Sequence, residues 1–503
     1  MTSPRFFARE QNVRVSRAAS PIFIGESMKD LKKNSKPFNK VCHNSFGREV
    51  IYTNETKITK DNIIKELGKA ISSHRQNAEE IDYLYNYYMG NQPVLYRTKQ
   101  VRPEINNKVV QNTAYFIVET KTADIASEPI QYVLRGTDET KSKEIADLNS
   151  IMENEDKAYS DICLARWRSI CGTSYRFIAN DDGRSSLLDE TEFRIDVLDP
   201  RQVFVVYYTN NLPAFSCQLT KDENNKNIYF IYTNEFWFKV GANKIIESGV
   251  NGFNAIPVIE YPNNENRISD IEITISLSDA INEQASDRAD GIAQFIQSFI
   301  KFINCEMDAD KFAELRQTGA FIVKSNNGEN KADVDIMSSE LNQSEAQVAM
   351  DDLFQKLLVI QGIANREGNS GGDTMGAVNL RNGYIDSEKR AELSEPSFKK
   401  AEKQFLRIVL YMMTVKKQTT LKISDIEIKI SRSKMDNMLT KAETLKILLE
   451  SGIFYERAIK SVGFFADPEQ VSLESRKRME LLYPTELPEE QPTEVIEVED
   501  DKV

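Results

Sequence analysis

The chain has 503 residues, and 64 Lys and Arg against 77 Asp and Glu give it a formal net charge of −13. A chain of this length is expected to form about two to four domains, because single hydrophobic cores stop growing well below it. The acidic balance excludes a protein that grips nucleic acid over most of its surface, although it leaves room for a local basic patch. No stretch approaches the roughly 18 consecutive apolar residues of a membrane-spanning helix, so we predict a soluble protein.

Histidine and cysteine are too scarce for most catalytic or metal sites. The five cysteines lie far apart and form no C-x-x-C pair, which argues against a zinc site and a disulfide framework. With only two histidines, most Ser-His and Cys-His catalytic arrangements are excluded as well. An odd, scattered set of cysteines is typical of a reducing compartment. We therefore predict no cofactor and no metal site. The residues concerned are Cys42, Cys163, Cys171, Cys217, Cys305, His43 and His74.

The first part of the chain changes from a basic segment to helices. Residues 1–60 carry many Lys and Arg and no sustained hydrophobic period, which indicates either an extended arm or a disordered leader. From Lys60 the pattern becomes helical, and "AEEIDYLYNYYMGNQP" places apolar side chains at i, i+3, i+4 and i+7 before Gly90 and Pro93 end it. Two further helices are predicted, one at about 109–125 and a weaker one at 140–152.

Between residues 172 and 260 the hydrophobic period changes to two. Short aromatic and β-branched runs are separated by turn residues, which predicts one antiparallel β meander. The runs are "SYRFIAND", "FRIDVLDP", "QVFVVYYT", "AFSCQLT", "NIYFIYT" and "FWFKVG". Because aromatic residues favour strands, we predict that their tyrosines pack within the sheet rather than stack on nucleic-acid bases. These tyrosines are Tyr207, Tyr208, Tyr229 and Tyr232.

The second half of the chain is predicted to be helical with short strands between the helices. Helices are predicted at 270–291 and 341–363, on either side of a mixed segment with strands at "GAFIVKS" and "ADVDIM". A further helix runs to residue 416, and Pro396 inside it should start a new segment or bend the helix near Glu395. A strand at "DIEIKISRS", helices at 434–450 and 455–462, and a solvated acidic tail complete the chain.

Four glycines are concentrated in "NREGNSGGDTMGAVNLR", residues 365–381, between two helical segments. The stretch from Gly371 to Gly376 matches the first half of a phosphate-binding loop. Ala377 and Val378 then stand where that loop needs a lysine and a hydroxyl, so we reject nucleotide binding. We predict a flexible joint between helices, because each glycine tolerates many backbone angles.

Asp333 and Asp335 form a D-x-D pattern on a predicted strand, which puts both carboxylates on one face and would suit a divalent metal. Nothing nearby supplies a base, a phosphate clamp or a glycine nest, so solvation at a strand edge is the better interpretation. No residue is predicted to be catalytic. A metal-dependent nuclease or transferase using these two aspartates is the rival hypothesis.

Three parts of the sequence together resemble the portal proteins of tailed bacteriophages, of the long-tailed Bacillus-phage type. "YNYYMGNQPVLYR" and the following "NNKVVQNTAYFIVETKTADIASEPIQY" resemble a tyrosine-rich helix end and an asparagine-led helix of that family. "IPVIEYPNNENRISDIEITISLSDAINEQASD" resembles the entry to its stem helix. The glycine loop with "VNLRNGYIDSEKRAE" resembles its tunnel loop and the helix beneath. The resemblance covers about residues 80–415.

The resemblance implies an α+β fold, mainly helical, with an antiparallel β meander in a wing domain and a small α/β clip. The segments it implies are a basic arm (1–60), a wing (61–265), stem helix 1 (266–291), a clip (292–340), stem helix 2 (341–362), a tunnel loop (363–380), a kinked wing helix (381–416), a wing return strand (417–433), a helical crown (434–482) and an acidic tail (483–503).

The resemblance also implies a function that is not enzymatic. Portal proteins form a closed ring, here expected to hold about twelve subunits, at one capsid vertex. Double-stranded DNA is packaged and ejected through the ring, which docks the terminase large subunit and the head–tail adaptor. Major capsid and scaffolding proteins are further implied partners. The implied location is the virion, after assembly in the host bacterial cytoplasm.

Two sets of residues are implied to carry that function. The tunnel loop would line the DNA channel with Arg366, Asn369, Ser370, Gly371, Gly372, Asp373, Thr374 and Arg381. The clip would meet its partners through Phe321, Val323, Lys324, Asp333 and Asp335. A second rival hypothesis is another virion scaffold, such as an adaptor or minor head protein, which would lack the helix–loop–helix tunnel element.

Overall fold

The computed structural model describes residues 47–100, 102–136, 138–180, 193–296, 299–303, 333–337, 343–365, 383–415, 417–431, 438–463, 465 and 468–482. Their helices are α1 (Ile63–Tyr88), α2 (Thr113–Ala126), α3 (Glu139–Asn154), α4 (Lys157–Cys171), α5 (Ile275–Ile296), α6 (Gln343–Gln361), α7 (Tyr384–Val415), α8 (Met438–Glu450), α9 (Tyr455–Val462) and α10 (Pro468–Leu482). Their strands are β1 (Ile51–Thr53), β2 (Gln131–Leu134), β3 (Thr173–Asn180), β4 (Phe193–Leu198), β5 (Val203–Tyr208), β6 (Pro213–Lys221), β7 (Asn227–Tyr232), β8 (Phe236–Gly241), β9 (Lys244–Val250), β10 (Val258–Pro262), β11 (Phe299–Ile303), β12 (Asp333–Met337) and β13 (Ile426–Lys429).

The largest sheet has the order β1-β5-β6-β7-β8-β9. Strands β5 to β9 follow one another as antiparallel neighbours, and β1 pairs in parallel with β5. The turn from β8 to β9 consists of Ala242 and Asn243, both with positive φ, as a two-residue hairpin turn requires. One face of the sheet packs on α1 through an apolar core that includes Ile63, Leu67 and Phe215.

The prediction of one meander was wrong in one respect. Strands β3, β4 and β10 form a separate sheet in the order β10-β3-β4. A period of two identifies strands but does not determine which strands pair, and β10 reaches β3 across most of the intervening sequence. Strand β9 was not predicted, since it is an edge strand whose apolar side chains Ile246 and Val250 are exposed.

The tyrosines pack within the sheets, as predicted. Tyr208 and Tyr229 lie against the core beneath α1, whereas Tyr207 and Tyr232 lie against a second cluster formed by Tyr175, Val203, Val205, Ile256 and Val258. That second cluster draws on strands of both sheets and joins them face to face. The tyrosine side chains are therefore accounted for by packing.

The predicted helices are largely confirmed. Helix α2 begins at Thr113, four residues after the predicted start, because Asn112 has a left-handed backbone (φ near +44°) and caps the helix there. Helices α4 and α10 and strands β1 and β2 were not predicted. Strand β2 pairs with β13, the strand predicted at "DIEIKISRS". Within the described ranges, no helix is long and apolar enough to cross a lipid bilayer.

Helix α7 runs without interruption through Pro396, so this residue does not start a new segment as predicted. Proline removes one backbone donor, but Pro396 is on the exposed side of the helix, where water can reach the carbonyl left free. The opposite side is fixed in the core by Phe398 and Phe405, which are fully buried.

The segment between α5 and α6 contains the antiparallel pair β11 and β12. Strand β12 confirms the prediction at "ADVDIM", whereas its partner β11 was not predicted. The strand predicted at "GAFIVKS" lies outside the described residues. Helix α5 extends to Ile296, five residues beyond the predicted end, and α6 agrees with its prediction.

Two glycines allow one loop to pack against the body of the protein. Gly172 ends α4 with φ near +84°, and a Cβ there would lie 1.9 Å from the carbonyl oxygen of Arg267. Gly47 has φ near +85°, and its Cβ would lie 2.0 Å from the carbonyl oxygen of Asn266. The loop from β10 to α5 therefore crosses both glycines at backbone contact distance, where no side chain fits.

Candidate functional site

A stripe of polar side chains runs along α5 where an apolar stripe would be expected. Ser278, Asn282, Ser286 and Asp290 are spaced four residues apart, so they share one face of the helix. All four are at most 4% exposed. Buried polar groups require hydrogen-bond partners, and a segment that we call the strap, residues 92–112, supplies most of them.

The strap hydrogen-bonds this stripe through alternate residues. The backbone N–H groups of Asn107, Val109 and Gln111 donate in turn to Asp290 Oδ1 (2.6 Å), Ser286 Oγ (3.0 Å) and Asn282 Oδ1 (2.8 Å). The series ends at α2, where Thr113 Oγ1 donates to Ser278 Oγ at 2.7 Å.

The spacing between successive polar side chains on α5 is close to the spacing between alternate residues of the strap. Four residues of helix rise about 6.0 Å, and two residues of extended chain span about 6.6–7.2 Å. The strap runs antiparallel to α5, so the partners stay in register over the whole stripe. The helix thus satisfies the donors of an extended chain much as an adjacent strand would.

Glutamine and asparagine side chains hold the two ends of the strap together. Gln92 is fully buried and donates to the carbonyl of Tyr87 (3.0 Å) and to Asn112 Oδ1 (3.0 Å), while Asn282 donates to Gln92 Oε1 at 2.5 Å. Asn112 has φ near +44° and its side chain accepts from the N–H of Tyr115, which caps α2. The strap is therefore closed at its base.

Charged groups secure the far end of the strap. Asp290 binds Lys99 Nζ and Arg97 Nη2, and Asp287, one turn earlier, binds the same two cations. The side chain of Asp290 is 5% exposed, whereas that of Asp287 is 57% exposed. Burial alone would raise the pKa of Asp290, but Lys99 and the amide groups of Asn107 outweigh it and lower the pKa.

Replacing Asp290 with alanine is expected to release the strap. The substitution leaves the N–H of Asn107 without its acceptor and leaves Lys99 with only the exposed Asp287, 3.6 Å away. The expected cost is about 2–3 kcal/mol in the free energy of unfolding. Hydrogen exchange should accelerate in residues 97–109. Asp287→Ala is the matched control, because it removes an exposed carboxylate from the same two cations at a cost below about 1 kcal/mol. Equal exchange rates in the two variants would contradict the role given to Asp290.

The other side of α5 packs against α6. Ile281 meets Leu357, Leu358 and Ile117 in one apolar cluster. Arg288 donates to Gln347, and Gln361 donates to the carbonyl of Asp270 and to Thr274 Oγ1. The two helices are consequently joined at both ends. In contrast, Val348 and Val359 on α6 are 67% and 69% exposed, which leaves apolar surface open on the outer face.

The segment between α6 and α7 is held at its two ends. Arg390 of α7 donates to the carbonyls of Val359 and Ile360, the last turn of α6. Its side chain lies over Gly362, whose φ near +65° turns the chain out of the helix. The predicted tunnel-loop residues lie in this segment and outside the described residues: Arg366, Asn369, Ser370, Gly371, Gly372, Asp373, Thr374 and Arg381.

A fully buried ionic network anchors α7 to the rest of the protein. Glu402 of α7 binds Arg176 of β3 at 2.9 Å and Lys157 of α4 at 2.9 Å. Asp161 binds the same two cations. Tyr132 and Tyr261 donate to Glu402 at 2.6 and 2.7 Å, so both carboxylate oxygens are satisfied. The two cations and two carboxylates balance, as a buried site requires.

The predicted clip residues are only partly within the described structure. Asp333 and Asp335 lie on β12, with their backbones opposite Ile303 and Lys301 of β11. Phe321, Val323 and Lys324 lie outside the described residues. Among the residues that are described, no group of three or more His, Cys, Asp or Glu side chains could hold a metal ion.

Comparison with known families gives one extensive match. The family described as "Phage portal protein, SPP1 Gp6-like" matches residues 67–481. The chain belongs to this family. The predicted portal protein is thereby confirmed, while the narrower Bacillus-phage type stays a prediction. The portal family is a family of structural proteins, so the hypotheses of a nuclease, a transferase or another virion scaffold were wrong.

Two solved structures show weak likeness to this portal protein. One is titled "Neck of empty GTA particle computed with C6 symmetry" (TM-score 0.40, 11% identity, covering 72% of this chain and 89% of that chain). The other is titled "Virion of native gene transfer agent (GTA) particle" (TM-score 0.41, 10% identity, covering 80% and 92%). Likeness at this level does not define a fold. No curated protein matches the portal chain in sequence.

Two functional features of the portal chain were not predicted from its sequence. Only residues 109–112 of the strap were predicted, as the start of a helix, and the ionic network joins residues that lie far apart in the chain. A usable signal existed for the first feature, because Ser278, Asn282 and Ser286 repeat every four residues in a helix flanked by isoleucines. No local signal marked the second, since Arg176 and Glu402 are 226 residues apart.

Proposed function

We propose that the chain forms a closed ring at one vertex of a phage capsid, through which double-stranded DNA is packaged and ejected. The family match over residues 67–481 carries the proposal. The geometry of α5 and α6 supports it, because two packed helices joined at both ends make a rigid wall element. A ring also requires each subunit to present two different complementary faces, and the exposed Val348 and Val359 offer apolar surface for one of them.

The elements are proposed to divide as follows. Helices α5 and α6 form the stem, and β11 with β12 belongs to the clip, which meets the terminase large subunit and the head–tail adaptor. The wing holds the two larger sheets with α1 to α4, α7 and the β2–β13 pair. The crown consists of α8 to α10. Major capsid and scaffolding proteins would contact the outer surface of the ring in the virion.

The glycine-rich segment after α6 is proposed to line the narrowest part of the channel. Arg390 ties the last turn of α6 to α7, so both ends of the segment start from fixed points. Glycines between fixed ends would let the segment adjust to the passing duplex without moving the helices. An acidic chain suits this role, since a channel wall that bound phosphate tightly would hinder transit.

Single-particle imaging of the purified chain, combined with mass measurement, tests the proposal. We expect a closed ring with a central channel and a mass of about 690 kDa, for about twelve copies of the 57.5 kDa chain. Imaging of phage particles should place the same ring at a single vertex. A chain that stays monomeric when concentrated, and is absent from the vertex of assembled particles, would contradict the proposal.

A further inference from the structure

The solvent face of α7 carries a row of cations that have no partner among the residues that the structure describes. Lys400, Lys403 and Arg407 follow one another at i, i+3 and i+7, and all three are exposed. Tyr411 and Val415 continue the same side, at 41% and 64% exposure. We call these five residues the basic stripe. Three cations lie within about 10.5 Å along the helix axis.

Two other cations on α7 have partners, in contrast to those of the basic stripe. Lys399 pairs with Glu395 at 2.5 Å, and Arg390 donates to two carbonyl groups. Within the described part of the chain, neither a hydrogen bond nor an ion pair involves Lys400, Lys403 or Arg407. Helix α7 cannot turn these side chains inward, because its opposite face is fixed in the core.

The acidic end of the chain has the complementary charge. Residues 483–503 read "YPTELPEEQPTEVIEVEDDKV" and carry eight carboxylates against one lysine, a formal charge of −7. In the last part of this segment, Val495, Ile496 and Val498 lie among carboxylates. Such a sequence matches a stripe that places cations beside an exposed tyrosine and valine.

The described contacts bring the start of the acidic segment within reach of the basic stripe. Lys477 of α10 pairs with Glu139 of α3 at 2.6 Å. One and a half turns along α3, Glu144 accepts from Thr419 Oγ1 and the N–H of Thr420, just after α7. The path from Leu482 to Arg407 through these contacts is at most about 60 Å, and the 21 residues that follow Leu482 span about 70 Å when extended.

We propose that residues 483–503 bind the basic stripe of the same chain and keep it from other polyanions, DNA included. Attachment to the same chain gives the segment an effective concentration in the millimolar range, so weak individual ion pairs suffice. The contact is electrostatic and lies at the surface, so salt should release it. It depends on neither the ring nor the DNA channel.

Chemical labelling of lysines tests the contact directly. The full chain is compared with a variant of equal length in which the eight carboxylates of residues 483–503 are changed to Asn and Gln. At low ionic strength, an amine-acetylating reagent should modify Lys400 and Lys403 about three to ten times faster in the variant. The difference should disappear at high salt. Lys244, an exposed lysine on β9, is the internal control and should react equally in both.

Binding of a short DNA duplex distinguishes the two possible occupants of the basic stripe, which are the acidic segment and DNA. If the acidic segment covers the stripe, the duplex should bind the neutralised variant more tightly, and a triple change K400E, K403E and R407E should remove the gain. Equal labelling of Lys400 and Lys403 in the two chains would overturn the proposal. Equal labelling together with equal protection by the duplex would assign the stripe to DNA instead.

Discussion

Replacing Arg176 with methionine is expected to lower the free energy of unfolding by about 3–5 kcal/mol, the usual cost of removing one partner from a buried ionic network. Both the guanidinium group and its acceptor Glu402 are fully buried. The substitution leaves Glu402 and Asp161 to share Lys157, so one negative charge remains buried without compensation. Arg176 also lies over the rings of Phe405 and Tyr261, and methionine keeps part of that apolar contact.

The pH dependence of this loss identifies its electrostatic part. Burial would raise the pKa of Glu402, but Lys157, Arg176 and the tyrosine hydroxyl groups outweigh it and lower the pKa from 4.5 to about 2. A depressed folded-state pKa stabilises the protein above the unfolded-state value and loses that contribution as pH falls through the folded-state value. The difference between wild type and Arg176→Met should therefore be largest near neutral pH and shrink between about pH 4.5 and 2.

Urea unfolding at several pH values measures both effects. Asp352→Ala is the control, because Asp352 and its partner Lys356 are 58% and 61% exposed, and the pair should contribute less than about 0.5 kcal/mol. If Arg176→Met fails to fold, Glu402→Gln gives the same test with a neutral group of equal shape. A loss that does not change with pH would show that packing, rather than charge, is the dominant contribution.

Changing Gly172 to alanine is expected to cost at least about 3 kcal/mol, from the positive φ together with the contact that its Cβ would make. The backbone of Arg267 would have to move, since a carbonyl oxygen 1.9 Å away cannot rotate aside as a side chain would. Displacing that loop would also disturb the ion pair between Arg267 and Glu260, which connects the loop to β10. Thermal unfolding of the purified variant measures the loss.

Substitutions at two other glycines distinguish the cost of a positive φ from the cost of the contact that the Cβ at position 172 would make. Gly463 has φ near +63° and open space around it, so Gly463→Ala should cost only about 1–2 kcal/mol. Gly68 lies in the second turn of α1 with nothing near its Cβ position, so Gly68→Ala should stabilise the protein by about 1 kcal/mol. If Gly172→Ala behaved like Gly463→Ala, the close approach of Arg267 would carry no energetic weight.

Helices with a regular apolar stripe were predictable from the sequence, whereas α4, which buries many polar groups, was not. In α1, Ile81, Leu84 and Tyr88 mark the buried face. Helix α4 buries Lys157, Ser160, Asp161, Arg168 and Ser169, so its inward face reads as solvent-exposed and the helix was missed. Those polar residues are buried because partners elsewhere in the chain satisfy them, which no local pattern reveals.

The division into two sheets was unpredictable for a related reason. Turn residues and alternation locate each strand, but pairing depends on contacts between distant segments, such as β10 with β3. The candidate site divides in the same way. Helices α5 and α6 were predicted within five residues of their observed bounds, since both are amphipathic, whereas only residues 109–112 of the strap were predicted, as the start of a helix. Asn112 starts α2 later than predicted, because its side chain caps the helix there.

The bonds between the strap and α5 constrain the two segments unequally during evolution. Val109 and Gln111 take part through backbone N–H groups, which every residue except proline possesses. Substitutions at those two positions should therefore have little effect on this contact. Proline is the exception, because it has no backbone N–H to donate. Asn282 and Ser286 take part through side-chain oxygens in a buried groove, so few residue types can replace them. Homologous chains should therefore vary along the strap while the facing positions of α5 stay small and polar.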